Sequence, residues 1–124
     1  MDTREKIISE ERLPELLASG TWLAVVGRFD PMTAVEAERL AEFARLGKVL
    51  GIVLEDEEAL LPADARAVLV ASLRDVSAVL VAHTEKWEAL LPKNAALSVI
   101  EDLAGEGARR QEFIDCVLNR RRQE

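Results

Sequence analysis

The sequence predicts an α/β fold: a doubly wound parallel sheet of four to five strands with helices on both faces. Three observations predict it. Aliphatic runs of strand length recur without strict polar alternation, so both faces of each strand are to be buried, as in a parallel sheet. Amphipathic segments of helix length separate those runs. The connections are short, and strand–helix alternation with short connections winds into a parallel sheet covered on both sides.

The elements follow in order. Glu10 to Ala18 carries Leu13, Leu16 and Leu17 at helical spacing, and Gly20 ends this first helix. Thr21 to Gly27 (TWLAVVG) is the first strand. From Ala34 to Leu46, Ala34, Ala37, Leu40, Ala41 and Ala44 repeat at helical spacing with Glu38, Arg39, Glu42 and Arg45 opposite, and Gly47 is placed to stop the helix. Lys48 to Leu54 (KVLGIVL) is the second strand. Pro62 opens a helix in which Ala65, Val68, Leu69 and Leu73 line one side. Ser77 to Ala82 (SAVLVA) is the third strand, and a short helix from Thr84 to Leu91 ends at Pro92. Ala95 to Ile100 (AALSVI) is a fourth strand, although alanine is a weak strand former. A last helix spans about Ala108 to Arg122, with Phe113, Ile114, Val117 and Leu118 as its apolar stripe.

Composition sets the class. With 124 residues, 49% hydrophobic and 31% charged, the chain makes one globular domain, residues 1–124, with no internal repeat or linker. Aromatic residues are scarce, so Val, Leu, Ile and Ala fill the core, with Trp22 and Trp87 packed among them. A net charge of −7 argues against nucleic acid and against an anionic membrane surface as partners. No apolar run reaches the length of a membrane span, and the charged N-terminus is no signal peptide. The single cysteine, Cys116, makes no internal disulfide and no structural zinc site; a lone thiol suits a reducing compartment, so the expected location is the cytoplasm. Beside the stripe of the last helix, Cys116 reads as packed rather than reactive. That stripe, with Arg120, Arg121 and Arg122 nearby, offers a symmetric contact for a homo-oligomer.

In a doubly wound sheet, ligands sit at the carboxyl ends of the strands where the strand order reverses. Function therefore concentrates in the loops after Gly27, Leu54, Ala82 and Ile100. No Ser-His-Asp set, Walker loop or dinucleotide glycine motif is present. The first loop reads Gly27-Arg28-Phe29-Asp30-Pro31-Met32-Thr33-Ala34-Val35-Glu36. Here the chain resembles the nucleotidylyltransferase superfamily, which includes cytidylyltransferases and the pantetheine-phosphate and heptose-phosphate adenylyltransferases. In those enzymes the first strand ends in G-x-F-D or G-x-F-D-P, followed by (H/T)-x-G-H. Gly27, Phe29, Asp30 and Pro31 match, and Thr33 matches the threonine form of the second motif. Lys6-Ile7-Ile8-Ser9 and the leucine-rich helix after it resemble the lead-in of the heptose-type enzymes. Arg66, Val76 and Val79 fall on their pattern of an arginine near a helix start followed by a V-D-x-V strand.

The resemblance implies a cytidylyltransferase-like domain with a nucleotide at the first loop. Gly27, Arg28, Phe29 and Asp30 would be nucleotide-binding, Thr33 would contact phosphate, and ATP or CTP would bring Mg²⁺. The chain departs from the family at two positions. Val35 replaces the glycine over which a nucleotide approaches the backbone, and a β-branched side chain crowds that approach. Glu36 replaces the histidine that stabilises phosphate charge during transfer. A carboxylate there repels phosphate, by about 4 kcal/mol for unit charges about 4 Å apart at intermediate dielectric. The family's hydroxyl-bearing turn before the last helix corresponds to Gly107-Ala108-Arg109-Arg110, which has no hydroxyl. Arg109 and Arg110 either hold an anion at that helix terminus or are solvated surface arginines.

The second loop carries Glu55, Asp56, Glu57 and Glu58 in succession. They form a solvated charge run, or else face the ligand edge, where four carboxylates weaken triphosphate binding unless Mg²⁺ intervenes; a carboxylate metal site joining them to Asp30 has no diagnostic spacing. His83, the only histidine, ends the third strand without an evident partner and reads as a loop residue. Three functions remain open. One is a degenerate domain that binds nucleotide with transfer lost or weak. Another is an active nucleotidylyltransferase that adds CMP or AMP to a phosphorylated small molecule, with Thr33 and Glu36 as its altered catalytic pair and Arg109 or Arg110 as a substitute cation. The last is a protein-interaction module on the same fold.

Overall fold

In a computed structural model of the chain, β1 (Trp22–Gly27), β2 (Lys48–Glu55), β3 (Val76–His83) and β4 (Leu97–Glu101) pair in parallel in the order β3-β2-β1-β4. The structure describes residues 3–30, 32–56, 59–91 and 97–101. The helices are α1 (Leu13–Leu17), α2 (Ala34–Ala44), α3 (Ala63–Ala71) and α4 (Trp87–Leu90). β1 is buried along its whole length, which its unbroken aliphatic run requires.

Alternate residues of the strands enter two separate cores. Trp22, Ala24 and Val26, with Leu50, Ile52 and Leu54 and with Ala78, Leu80 and Ala82, meet Leu13 and Leu17 of α1 and Trp87 of α4. Val25, Val49, Val53, Val76 and Val79 face the other way, onto Leu40 of α2 and Ala67, Val70 and Ala71 of α3. Both faces are therefore covered and the sheet is doubly wound. The two tryptophans are core residues: Trp22 donates its indole N–H to the Ser19 carbonyl at 2.9 Å, and the Lys48 ammonium lies 5.5 Å from its ring centre. Gly51 sits under α3, where an added Cβ would lie 2.9 Å from Val70 Cγ1, so the helix packs directly on the strand backbone.

The edge of β3 is partly guarded. Ile7 forms a parallel bridge with Val79, Ile8 N–H donates to the Val79 carbonyl at 2.9 Å, and the Lys6 ammonium donates to the Leu73 carbonyl at 3.0 Å. A covered edge offers fewer free backbone groups to another strand. Along β2 the pairing slips by one residue: Val49 opposes Val76 and Leu50 opposes Ala78, so Ser77 has no partner in the register. The chain adds β2 and β3 on one side of β1, then returns to place β4 on the other. The order thus reverses between β1 and β4, and the loop after Gly27 borders the crevice at that reversal.

Several expected boundaries move. The first helix is shorter, with a 3-10 turn at Glu10–Arg12 leading into α1, whose first turn holds Pro14. Of the short helix expected over Thr84 to Leu91, only Trp87–Leu90 is helical, after a turn at 84–86. In α3 the expected stripe is displaced. Ala65 and Leu69 are exposed, while Arg66, Ala67, Val70 and Ala71 face inward. This helix is apolar nearly all round, so periodicity does not fix its rotation; the contacts of Arg66 accompany the observed one. The last helix, with Cys116 and the Phe113/Ile114/Val117/Leu118 stripe, lies outside the described residues. None of the helices among the described residues is long and apolar enough to cross a membrane.

Candidate functional site at the carboxyl edge of the sheet

Gly27 closes β1 opposite Val53, buried between its neighbours. The chain then turns sharply through Phe29, whose φ of +52° lies in the left-handed region that side chains with a Cβ seldom occupy. Burial compensates for that conformation: the ring is 3% exposed and packs in the core that holds Leu40 and Val53. Phe29 is thus an inward anchor of the loop. Asp30 follows, also buried, and its carboxylate accepts the N–H groups of Leu60 at 2.6 Å and Leu61 at 3.1 Å. It fastens the loop after β1 to the turn that precedes α3.

The same turn is gripped by Arg66, from α3, which is 1% exposed. Its Nε donates to the Leu61 carbonyl at 3.0 Å, and its Nη1 donates to the carbonyls of Arg28 at 2.6 Å and Leu54 at 2.7 Å. One guanidinium therefore ties together the ends of β1 and β2 and the turn before its own helix. Charge-assisted donors to carbonyl oxygens are strong, and a planar fork suits several acceptors at once. Sequence reasoning placed Arg66 on a family pattern but not among the site residues. Its position four residues after Pro62, near the start of a helix at the ligand edge, was the available signal.

Thr33 and Glu36 are bonded to each other. Thr33 is the N-cap of α2, and the two residues form a capping box in which the Thr33 side chain accepts the Glu36 backbone N–H and the Glu36 carboxylate accepts the Thr33 backbone N–H. Glu36 Oε2 lies 3.0 Å from Thr33 N and also accepts the Thr33 hydroxyl. Glu36 is buried, whereas Val35 beside it is 48% exposed. A carboxylate in the first turn is favoured by the helix dipole, and here it takes the place an external anion would occupy.

The loop after β2 meets the loop after β1 through an ion pair, Arg28 Nε to Asp56 Oδ2 at 3.0 Å, a close charge contact without the alignment of a hydrogen bond. Both side chains are partly exposed, so solvent screens the contact. Glu55 pairs with His83 at 3.2 Å across β2 and β3, which are in register there, and its carbonyl accepts the Thr84 hydroxyl at 2.9 Å. His83 thus has a partner that the sequence did not reveal. Glu57, Glu58, Pro31, Arg109 and Arg110 lie outside the described residues.

The described carboxylates are turned to different tasks: Asp30 to backbone N–H groups, Glu36 to the helix cap, Glu55 to His83 and Asp56 to Arg28. Among the described residues no group of three or more His, Cys, Asp and Glu side chains could hold a metal ion. What the described residues offer is a start of the loop held by Phe29, Asp30 and Arg66, with the Arg28 side chain partly exposed.

No family model matches the chain, and no curated protein sequence matches it. Among solved structures, the chain is similar to the crystal structure of the lipopolysaccharide core biosynthesis protein from Thermoplasma volcanium GSS1, with a TM-score of 0.56 and 13% sequence identity. The match covers 67% of this chain and 96% of that one. At this identity the likeness is one of fold: both chains share a Rossmann-like α/β arrangement.

Proposed function

We propose that the chain is a degenerate cytidylyltransferase-like domain that binds nucleotide at the carboxyl edge of its sheet and has lost nucleotidyl transfer. One observation carries this reading. The helix terminus that follows the G-x-F-D-P loop is closed by the chain's own Glu36 carboxylate, bonded to Thr33. Transfer needs donors aimed at developing phosphate charge. Here the Thr33 hydroxyl and a backbone N–H are turned to Glu36 instead. The loop frame remains, with Asp30 and Arg66 holding it and Arg28 at its surface. Mg²⁺ would enter as the partner of the nucleotide's own phosphates.

The test pairs binding with turnover. Melting curves with ATP, CTP and their monophosphates, with and without Mg²⁺, are expected to show a nucleotide-dependent rise, because a ligand of the native state stabilises by mass action. Pyrophosphate release with phosphorylated sugars or alditols as acceptors is expected to be absent. Robust release abolished by Thr33→Ala would make the domain an active transferase, with Glu36 part of an altered mechanism. No shift with any nucleotide would leave an interaction module on the same fold.

A further inference from the structure

We infer that the groove between α1 and the segment before it is a binding site for a free α-amino acid with an aliphatic side chain. Arg12 takes the carboxylate, Glu15 takes the ammonium, and the aliphatic part lies on Ile8 and Leu16. None of the lining residues belongs to the loops at the carboxyl edge of the sheet, so the inference is independent of the nucleotide reading.

The sequence places Arg12, Glu15, Leu16 and Ser19 at i, i+3, i+4 and i+7, which is one face of a helical segment. Leu13 and Leu17 turn into the core, so this face points away from it. The chain before α1 supplies the opposite wall: Ile8 is buried, and its N–H donates to the Val79 carbonyl at 2.9 Å. Ile8, Arg12, Glu15, Leu16 and Ser19 line a cavity of about 230 Å³. Drug-sized ligands fill about 300–1,000 Å³, so this cavity suits a smaller molecule.

Its chemistry selects which one. Ile8 and Leu16 give it an apolar surface, while Arg12 and Glu15 are exposed. Among the described residues the side chains of Arg12 and Glu15 have no hydrogen-bond or ion-pair partner, and they are not paired with each other. Arg12 precedes α1 without making a side-chain cap, so the fold gives its guanidinium no task. An unpaired cation and an unpaired anion one helical turn apart, beside an apolar strip, are the complement of a zwitterion with an aliphatic tail. A guanidinium engages both oxygens of a carboxylate at once. The Ser19 hydroxyl donates to the Leu16 carbonyl at 3.2 Å, which leaves its oxygen to accept from the ammonium. A simple anion would meet Glu15 and a simple amine would meet Arg12, so the site favours a molecule that carries both charges.

The experiment is an amide NMR titration of the full chain with L-leucine, isocaproate (which lacks the ammonium), isopentylamine (which lacks the carboxylate) and glycine (which lacks the side chain). L-leucine is expected to shift the amides of Ile8, Arg12, Glu15, Leu16 and Ser19 with a Kd on the order of millimolar, as suits so small a ligand. Each of the other three is expected to bind at least about fivefold more weakly. Arg12→Gln and Glu15→Gln should each weaken L-leucine binding about fivefold, with melting temperatures unchanged because both side chains are exposed. Glu15→Gln should also narrow the preference for L-leucine over isocaproate, which a purely structural role would not do. Absence of shifts at these amides up to tens of millimolar (on the order of tenfold above the expected Kd), isocaproate binding as tightly as L-leucine, or unchanged L-leucine affinity in either variant overturns the assignment.

Discussion

Asp30 and Arg66 hold the same residue from two sides: Leu61 gives its N–H to the Asp30 carboxylate and its carbonyl to the Arg66 guanidinium. Opposite charges in a buried setting are thus joined through one stretch of backbone rather than in direct contact. Arg66→Met keeps much of the buried stem but removes the donor from the carbonyls of Arg28, Leu54 and Leu61. The expected loss is about 3 kcal/mol in urea unfolding, the scale of leaving buried acceptors without partners. A cycle with Asp30→Asn should show a coupling of about 1 kcal/mol. Simple additivity would mean that the two side chains act independently on the loop.

Phe29 allows a test of backbone strain against burial. Phe29→Ala removes a buried ring and is expected to cost about 3–5 kcal/mol. Phe29→Gly loses the same ring but tolerates φ of +52°, so it should be more stable than Phe29→Ala by about 1 kcal/mol. Glycine is ordinarily the worse of the two, so a normal ranking in denaturant would show that the turn relaxes once the ring is gone.

The capping box predicts a separable structural role for Thr33 and Glu36. Thr33→Ala and Glu36→Ala should each destabilise the domain by about 1 kcal/mol, and their effects should be less than additive because each side chain serves the other. The double change Val35→Gly and Glu36→His restores the family's T-x-G-H spacing and removes the carboxylate from the helix terminus. It is expected to raise nucleotide affinity more than turnover, measured by thermal shift and pyrophosphate release side by side. Equal gains in both would mean that positions 35 and 36 together limit transfer as much as they limit binding.

Gly51 fixes how closely α3 lies on the sheet. Gly51→Ala puts a methyl group 2.9 Å from Val70 Cγ1 and should cost about 1–3 kcal/mol by overpacking. Adding Val70→Ala is expected to recover part of that loss. No recovery would mean that the strand conformation, and not the contact, requires glycine.

The three long strands were legible because their aliphatic runs admit no exposed face, and β1 is indeed buried throughout. The rotation of α3 was not, because a helix reading ADARAVLVA has no clear polar side, and arginine is ordinarily assigned to solvent. Only three-dimensional proximity brings the carbonyls of Arg28, Leu54 and Leu61 within reach of Arg66. The Thr33–Glu36 bond was present in the sequence as the spacing T-x-x-E ahead of an amphipathic run, which is the signature of a capping box. Read against the family motif, the same residues stood for catalysis. The two readings make different demands on one carboxylate, and sequence spacing alone does not choose between them. The partners of Glu55 and Asp56 were likewise hidden, since His83 lies on the neighbouring strand and Arg28 in the loop after β1, both distant in sequence.

The position of β4 bears on how the domain assembles. β2 can pair with β1, and β3 with β2, through helical connections of modest length, but Trp22 must wait for Leu97 before the far side of β1 is closed. Long-range pairings of this kind form late, because the intervening chain must be ordered first. During synthesis, β1 therefore presents a bare flank beside the loop that carries Arg28 and Asp30, and this central strand behaves for a time as an edge. A nascent chain halted before Leu97 would expose backbone donors and acceptors along the most hydrophobic strand of the sheet, so the crevice at the strand-order reversal is also where incomplete copies of this domain would stick to one another.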